Sequence, residues 1–212
     1  MKSSKSFKLI NKFLAFILKE FSSKLNANLL KKYSDYLFIF VEKIIVKFDK
    51  LSIQYISYYD DIIENEITLA SITKKDKVLH IGSGSIPASS ILITKKTGAK
   101  VIGIDKNHKR IQEFNRSKIS NIMEVKHSDA IDYNVGDYDV IIISQGIEPR
   151  DNILYNISKK MKKDARVIFR TISNENKQLS KNDKILNDIF KVANIKSHPN
   201  HGLLLSVLLI KK

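Results

Sequence analysis

The chain has 212 residues, enough for one domain or one domain with an appendage, and about 70% of the unfolded surface of such a chain can be buried. With 43% hydrophobic and 28% charged residues it is neither a disordered tail nor a membrane bundle. Its 37 basic residues against 22 acidic ones leave +15, which draws anions, and the lack of cysteine excludes disulfides, thiolate metal sites and cysteine nucleophiles and fits a cytoplasmic protein.

Residues 1–73 read as a helical cap. Phe7, Ile10, Phe13, Leu14, Ile17, Leu18 and Phe21 recur at helical spacing and form one apolar face. Further helices are expected over 29–47 and 58–72. Up to Ser57 there are 11 lysines against four acids, a net of +7, and no glycine or proline occurs before Gly82. Such a basic amphipathic face can touch a membrane surface peripherally, or simply cap the next domain with its lysines in water. The uncharged apolar stretches are about six residues long, far short of the roughly 20 needed to span a bilayer, and no signal peptide is expected.

From Lys77 the pattern changes. Strand-like runs at 78–81, 101–104, 123–126, 138–143 and 166–170 alternate with helical ones at 88–96, 106–117, 152–161 and 181–190. Two last strands at 192–197 and 203–210 flank Ser197-His-Pro-Asn-His-Gly202. The fold class expected is α/β, with residues 74–212 forming a Rossmann-like, doubly wound, mostly parallel sheet that ends in an antiparallel edge hairpin.

The segment Lys77-Val-Leu-His-Ile-Gly-Ser-Gly-Ser-Ile-Pro87 is a strand, a glycine turn and a helix start. Gly82, Ser83, Gly84 and Pro87 are expected to contact a cofactor, the glycine turn permitting close backbone approach to a ligand at a helix N-terminus. Asp105 ends the second strand, where a carboxylate can accept both ribose hydroxyls. Pro87 replaces the third glycine of a dinucleotide fingerprint, which argues against NAD and FAD. Asp129, just past the third strand, either accepts the exocyclic amine of adenine or caps the next helix. Ser144, Gln145 and Gly146 follow the fourth strand, at the ligand-binding end of the sheet.

This order of elements resembles the class I S-adenosylmethionine (SAM)-dependent methyltransferases. Three segments are similar, more narrowly, to nicotianamine synthases and the related opine-metallophore synthases. The first is the glycine loop through Leu92, where Ser85, Ile86 and Ala88 stand for a proline and leucines of the family. The second is Glu148-Pro149 with the strand ending Arg170-Thr171. The third is Tyr58-Tyr-Asp-Asp61 with Asn65-Glu66, where Asp61 replaces an expected Asn. The resemblance implies transfer of SAM's 3-amino-3-carboxypropyl (aminobutyrate) group to a small-molecule amine or amino acid, with methylthioadenosine leaving. The product would be a metal chelator. It also implies a carboxylate base, with Glu66 first and Glu64 second, helped by Tyr59. Tyr58, Gln145, Glu148 and Arg170 would bind substrate, Arg170 either as a carboxylate clamp or as the partner of Glu148 or Asp151. His198 and His201 read as surface residues of the hairpin loop, and no metal site is expected. The alternative is a methyltransferase acting on a small molecule or RNA. The charge allows nucleic acid, but the lysines are dispersed and no aromatic RNA-binding motif interleaves them.

Overall fold

The computed structural model describes residues 45, 48–172, 184–202 and 204–212. The helices expected before residue 45 lie outside that range. The helix expected over 58–72 is observed as α2 (Asp60–Leu69), and a further helix that the sequence pattern did not separate, α1 (Asp49–Tyr58), runs directly into it. Tyr59 sits between them, its N–H turned to the Ile56 carbonyl. The cause is the acidic pair Asp60-Asp61, which favours a helix N-terminus. Periodicity alone does not register that signal.

The alternation from Lys77 onward builds β1 (Lys77–Ile81), α3 (Ala88–Thr97), β2 (Lys100–Asp105), α4 (His108–Asn115) and β3 (Glu124–His127). Then come β4 (Val140–Ile143), α5 (Arg150–Lys160), β5 (Arg166–Ile172), α6 (Lys184–Ile189), β6 (Phe190–Ser197) and β7 (Leu204–Lys211). The seven strands lie in the order β3-β2-β1-β4-β5-β7-β6. The first five are parallel, β7 runs antiparallel to β5, and β6 is antiparallel to β7. This is the mostly parallel sheet with an antiparallel edge hairpin that the sequence pattern predicts.

Period two along each strand divides the core. Leu79, Ile81, Ile141, Ile143, Val167 and Phe169 face α5 and α6 through Leu154, Ile157 and Leu186. Val78, Val101, Val140, Ile142 and Ile168 face the other way, with Ile93 of α3 and Ile63 and Ala70 from the α2 region. The described part of the cap therefore shares its core with the sheet. On this second face the apolar rows turn polar toward one end. His80 lies two residues beyond Val78, Arg170 two beyond Ile168, and Ser206 is paired with Arg170 in the β5–β7 register. α2 lays Glu66 over that polar end.

Sheet order reverses between β1 and β4, and their carboxyl ends open a crevice there, the usual ligand position of an open α/β sheet.

Candidate active site

Two adjoining cavities fill that crevice, of about 490 and 410 Å³. Gly82, Asp105, Lys106, Arg110, Ser144, Gln145 and Gly146 border both, so they are two compartments of one cleft. Asp129 and Glu148 line the outer compartment; Tyr58, Tyr59, Arg170 and His201 line the inner one, beneath the cap.

The glycine turn is built around Asp105. Its Oδ2 accepts the Gly84 N–H at 2.9 Å and lies 3.5 Å from Arg110; its Oδ1 accepts the Asn107 N–H at 2.8 Å. An ionised carboxylate has about four acceptor positions, so capacity for a hydroxyl remains. Gly82 has φ +78°, and a Cβ there would lie 2.9 Å from Ile147 Cγ2 and 3.2 Å from Ser144 Cβ. Only glycine lets β1 turn this close to the end of β4. Two buried polar atoms on the inner compartment, Ser83 Oγ and Arg110 Nε, have no partner among the described residues. Orphaned buried donors bordering a cavity fit a polar ligand.

Asp129 does not cap a helix, because none follows it. Its Oδ1 accepts the Ile131 N–H at 3.0 Å in a turn, and its side chain stays half-exposed on the outer compartment. Pro87 is buried at the head of α3 and borders neither compartment, so its expected ligand contact is corrected to a helix start. Glu148 is exposed; its Oε2 accepts the Arg150 N–H at 3.2 Å, while its carbonyl accepts from Lys106 across the cleft.

Below the inner compartment lies a buried polar network. Glu66, 0% exposed, takes Arg170 Nε at 2.8 Å on one oxygen and an Arg170 terminal nitrogen at 2.7 Å on the other. Ser206 Oγ donates to it at 2.6 Å. Burial alone would lower the Arg170 pKa, but the Glu66 carboxylate outweighs it and holds the guanidinium charged. Arg170 therefore pairs with Glu66 and not with Glu148 or Asp151. Glu66 stands behind Arg170 and borders neither compartment, so the geometry gives it a positioning part and not direct contact with substrate. Glu64 is corrected outright: it is exposed and paired with Lys96 at 2.8 Å on the outside of the cap.

His80 bridges Ser90 Oγ and Ser144 Oγ, each at 2.8 Å. Burial, with the Arg170 charge nearby, pushes its pKa down to about 3, so the ring is neutral. Tyr58 is pushed up to about 12 by burial and by Tyr59 and Asp61, so it stays a protonated hydroxyl. Tyr59 hydroxyl pairs with Tyr55 at 3.2 Å.

The sequence does not foretell the histidines. His198 is 1% exposed, with Nε2 2.9 Å from Ser206 Oγ. Burial outweighs the Glu66 charge and lowers its pKa. His201 closes the inner compartment, its ring 4.5 Å from Tyr58 and its Nε2 2.7 Å from Asp61. Both lie at the end of a strand pair that folds back under α2, where the intervening proline and glycine suggested only an exposed loop. Among the described residues no cluster of three acidic or histidine side chains could hold a metal.

The strand order, the glycine turn and the acid ending β2 define a SAM-binding transferase of the methyltransferase-like class. A family model described as nicotianamine synthase protein matches residues 8–212, nearly the whole chain. The chain belongs to the nicotianamine synthase family and is a SAM-dependent enzyme. No curated relative matches it. It shares its fold with a glutamate-to-glutamine variant of MtNAS in complex with S-adenosylmethionine, at 18% identity and a TM-score of 0.71 over 85% of this chain and 74% of that one. MtNAS in complex with MTA and tNA superposes at 17% identity and a TM-score of 0.72, over 100% and 90% of the two chains. An RNA methyltransferase from Salinibacter ruber with S-adenosyl-L-homocysteine is more distant, at 11% identity and a TM-score of 0.54 over 72% and 92%.

Proposed function

We propose that this enzyme transfers the aminobutyrate group of SAM to a small amine or amino acid, releases methylthioadenosine, and so makes a metal-chelating product in the cytoplasm. The observation that carries this is the continuity of the cleft. The compartment holding Asp105 and Asp129 runs past Gly82 and Ser144 into a second one under Tyr58, Tyr59 and Arg170. That gives room for the nucleoside in the outer part and for an acceptor beside the amino-acid part in the inner one.

In this reading Asp105 accepts the ribose hydroxyls, and Asp129 the adenine amine. The backbone of Gly82–Gly84 approaches the ligand closely, and Ser83 Oγ gains the partner it lacks. Arg170 presents the nitrogen that Glu66 leaves unused to a carboxylate. Tyr58 and Gln145 orient the acceptor. SAM supplies a sulfonium leaving group; the protein must hold the acceptor nitrogen in line with the γ-carbon at about 3–3.5 Å and take its proton.

The test is mass spectrometry of the nucleoside formed from SAM by the purified protein, with SAM alone, with histidine and with glutamate. Methylthioadenosine above the spontaneous background supports the transfer. S-adenosylhomocysteine in its place overturns it in favour of methyl transfer.

A further inference from the structure

Within the proposed transfer, on which this inference rests, the structure assigns the general base to the His201–Asp61 pair: His201 takes the proton from the acceptor's ammonium, and Asp61 orients the ring. The two side chains come from elements 140 residues apart, α2 and the turn before β7, and meet at the wall of the inner compartment. The His201 side chain is 5% exposed and that of Asp61 is 44% exposed.

The tautomer follows from the contact. A carboxylate only accepts, so Nε2 carries the proton that Asp61 binds at 2.7 Å, and in the neutral ring Nδ1 is the nitrogen with the lone pair. Nδ1 is buried and has no partner among the described residues. A buried basic nitrogen with a carboxylate behind the ring is the arrangement by which a histidine removes a proton and is stabilised as the cation that results. Asp61 is itself fixed. Burial would raise its pKa, but hydrogen bonds from Asn200 (3.2 Å) and His201 outweigh that and hold it below the usual carboxylate range. Tyr58 packs edge-on against the ring and stays protonated, so it adds no charge. His198, 6.5 Å away on the same turn, is held neutral by burial. Arg170 borders the same compartment, as do Lys106 and Arg110. A fixed cation disfavours an ammonium beside it and so favours the free amine.

The step balances. The ammonium proton passes to Nδ1. The freed nitrogen pair forms the N–Cγ bond, the Cγ–S pair returns to sulfur, and neutral methylthioadenosine leaves. The proton on Nδ1 then passes to water.

The experiment measures methylthioadenosine release across pH for the wild type, His201→Gln and Asp61→Asn, with SAM affinity by calorimetry and melting curves as folding checks. For His201→Gln we expect kcat to fall about 10²–10⁴-fold, with SAM affinity kept and the acidic limb of kcat/KM lost. For Asp61→Asn we expect a kcat loss of at least about tenfold. The Asp61 side chain is 44% exposed, so this second variant is expected to keep the fold where the first does not. Wild-type release and an unchanged pH profile in either folded variant overturn the assignment. Formation of S-adenosylhomocysteine by the wild type overturns the transfer itself and this base with it.

Discussion

The two halves of the cleft are assembled differently. The half around the glycine turn is local: Gly84 and Asp105 are 21 residues apart and joined by one βαβ unit. Backbone N–H groups do most of the holding there. The inner half is assembled from far along the chain. Glu66 meets Arg170 across 104 residues and Ser206 across 140. Side chains do the holding, and they are charged and buried. The local half can be replaced piecemeal. The distant half stands or falls as a network, because any group left unpaired in it bears the full desolvation cost.

The widest expected effect comes from His80, which sits at the seam through Ser90 and Ser144. Its folded pKa of about 3 lies below the ordinary 6.5. Below pH 6.5 the unfolded chain takes up a proton that the folded chain refuses, so this contribution is complete above 6.5 and fades as pH falls toward 3. The slope reaches about 1.4 kcal/mol per pH unit. Urea unfolding from pH 7 to pH 4 should show it in the wild type and not in His80→Gln. Equal slopes would place His80 with the local half, as an ordinary polar core residue.

Next is the ion pair itself. Arg170→Met leaves the Glu66 carboxylate buried without its cation, and should cost about 3–5 kcal/mol in urea titration. Replacing both Arg170 and Glu66 with Met should recover most of that loss and no methylthioadenosine release. A double variant as unstable as the single one would show that the pair is not a unit.

Asp105→Asn tests the local half. It removes a charged acceptor of the Gly84 N–H, so SAM affinity should drop by about 1.5–3 kcal/mol in calorimetry, while the melting temperature changes little. A large fall in melting temperature would erase the distinction between the halves.

The same distinction explains what the sequence made legible. Alternating strands and helices, the glycine turn and Asp105 are near-neighbour patterns, and they placed the sheet and the turn at the mouth of the cleft. Arg170 could be flagged at a strand end, but its partner could not: Glu148 and Asp151 are nearer in sequence, whereas α2 carries Glu66 over the sheet. His201 offered no signal on its own, because its role depends on the antiparallel return of β7 under Asp61. The break at Tyr59 was visible in principle, through Asp60 and Asp61 at a helix start.

The smallest effect gives the control. Lys96 reaches from α3 to Asp60 at 2.9 Å and Glu64 at 2.8 Å, joining the same two structural units that the buried pair joins, but at the surface. The side chains there are 25%, 49% and 63% exposed, so water and salt screen the attraction and two long side chains must be held in place for it. Lys96→Ala should therefore cost about 0.2–1 kcal/mol, less at high salt, and leave SAM affinity untouched. If instead it costs as much as Arg170→Met, the cap is held to the sheet from its rim. The buried Glu66–Arg170 pair would then serve to aim Arg170 into the cleft more than to attach α2.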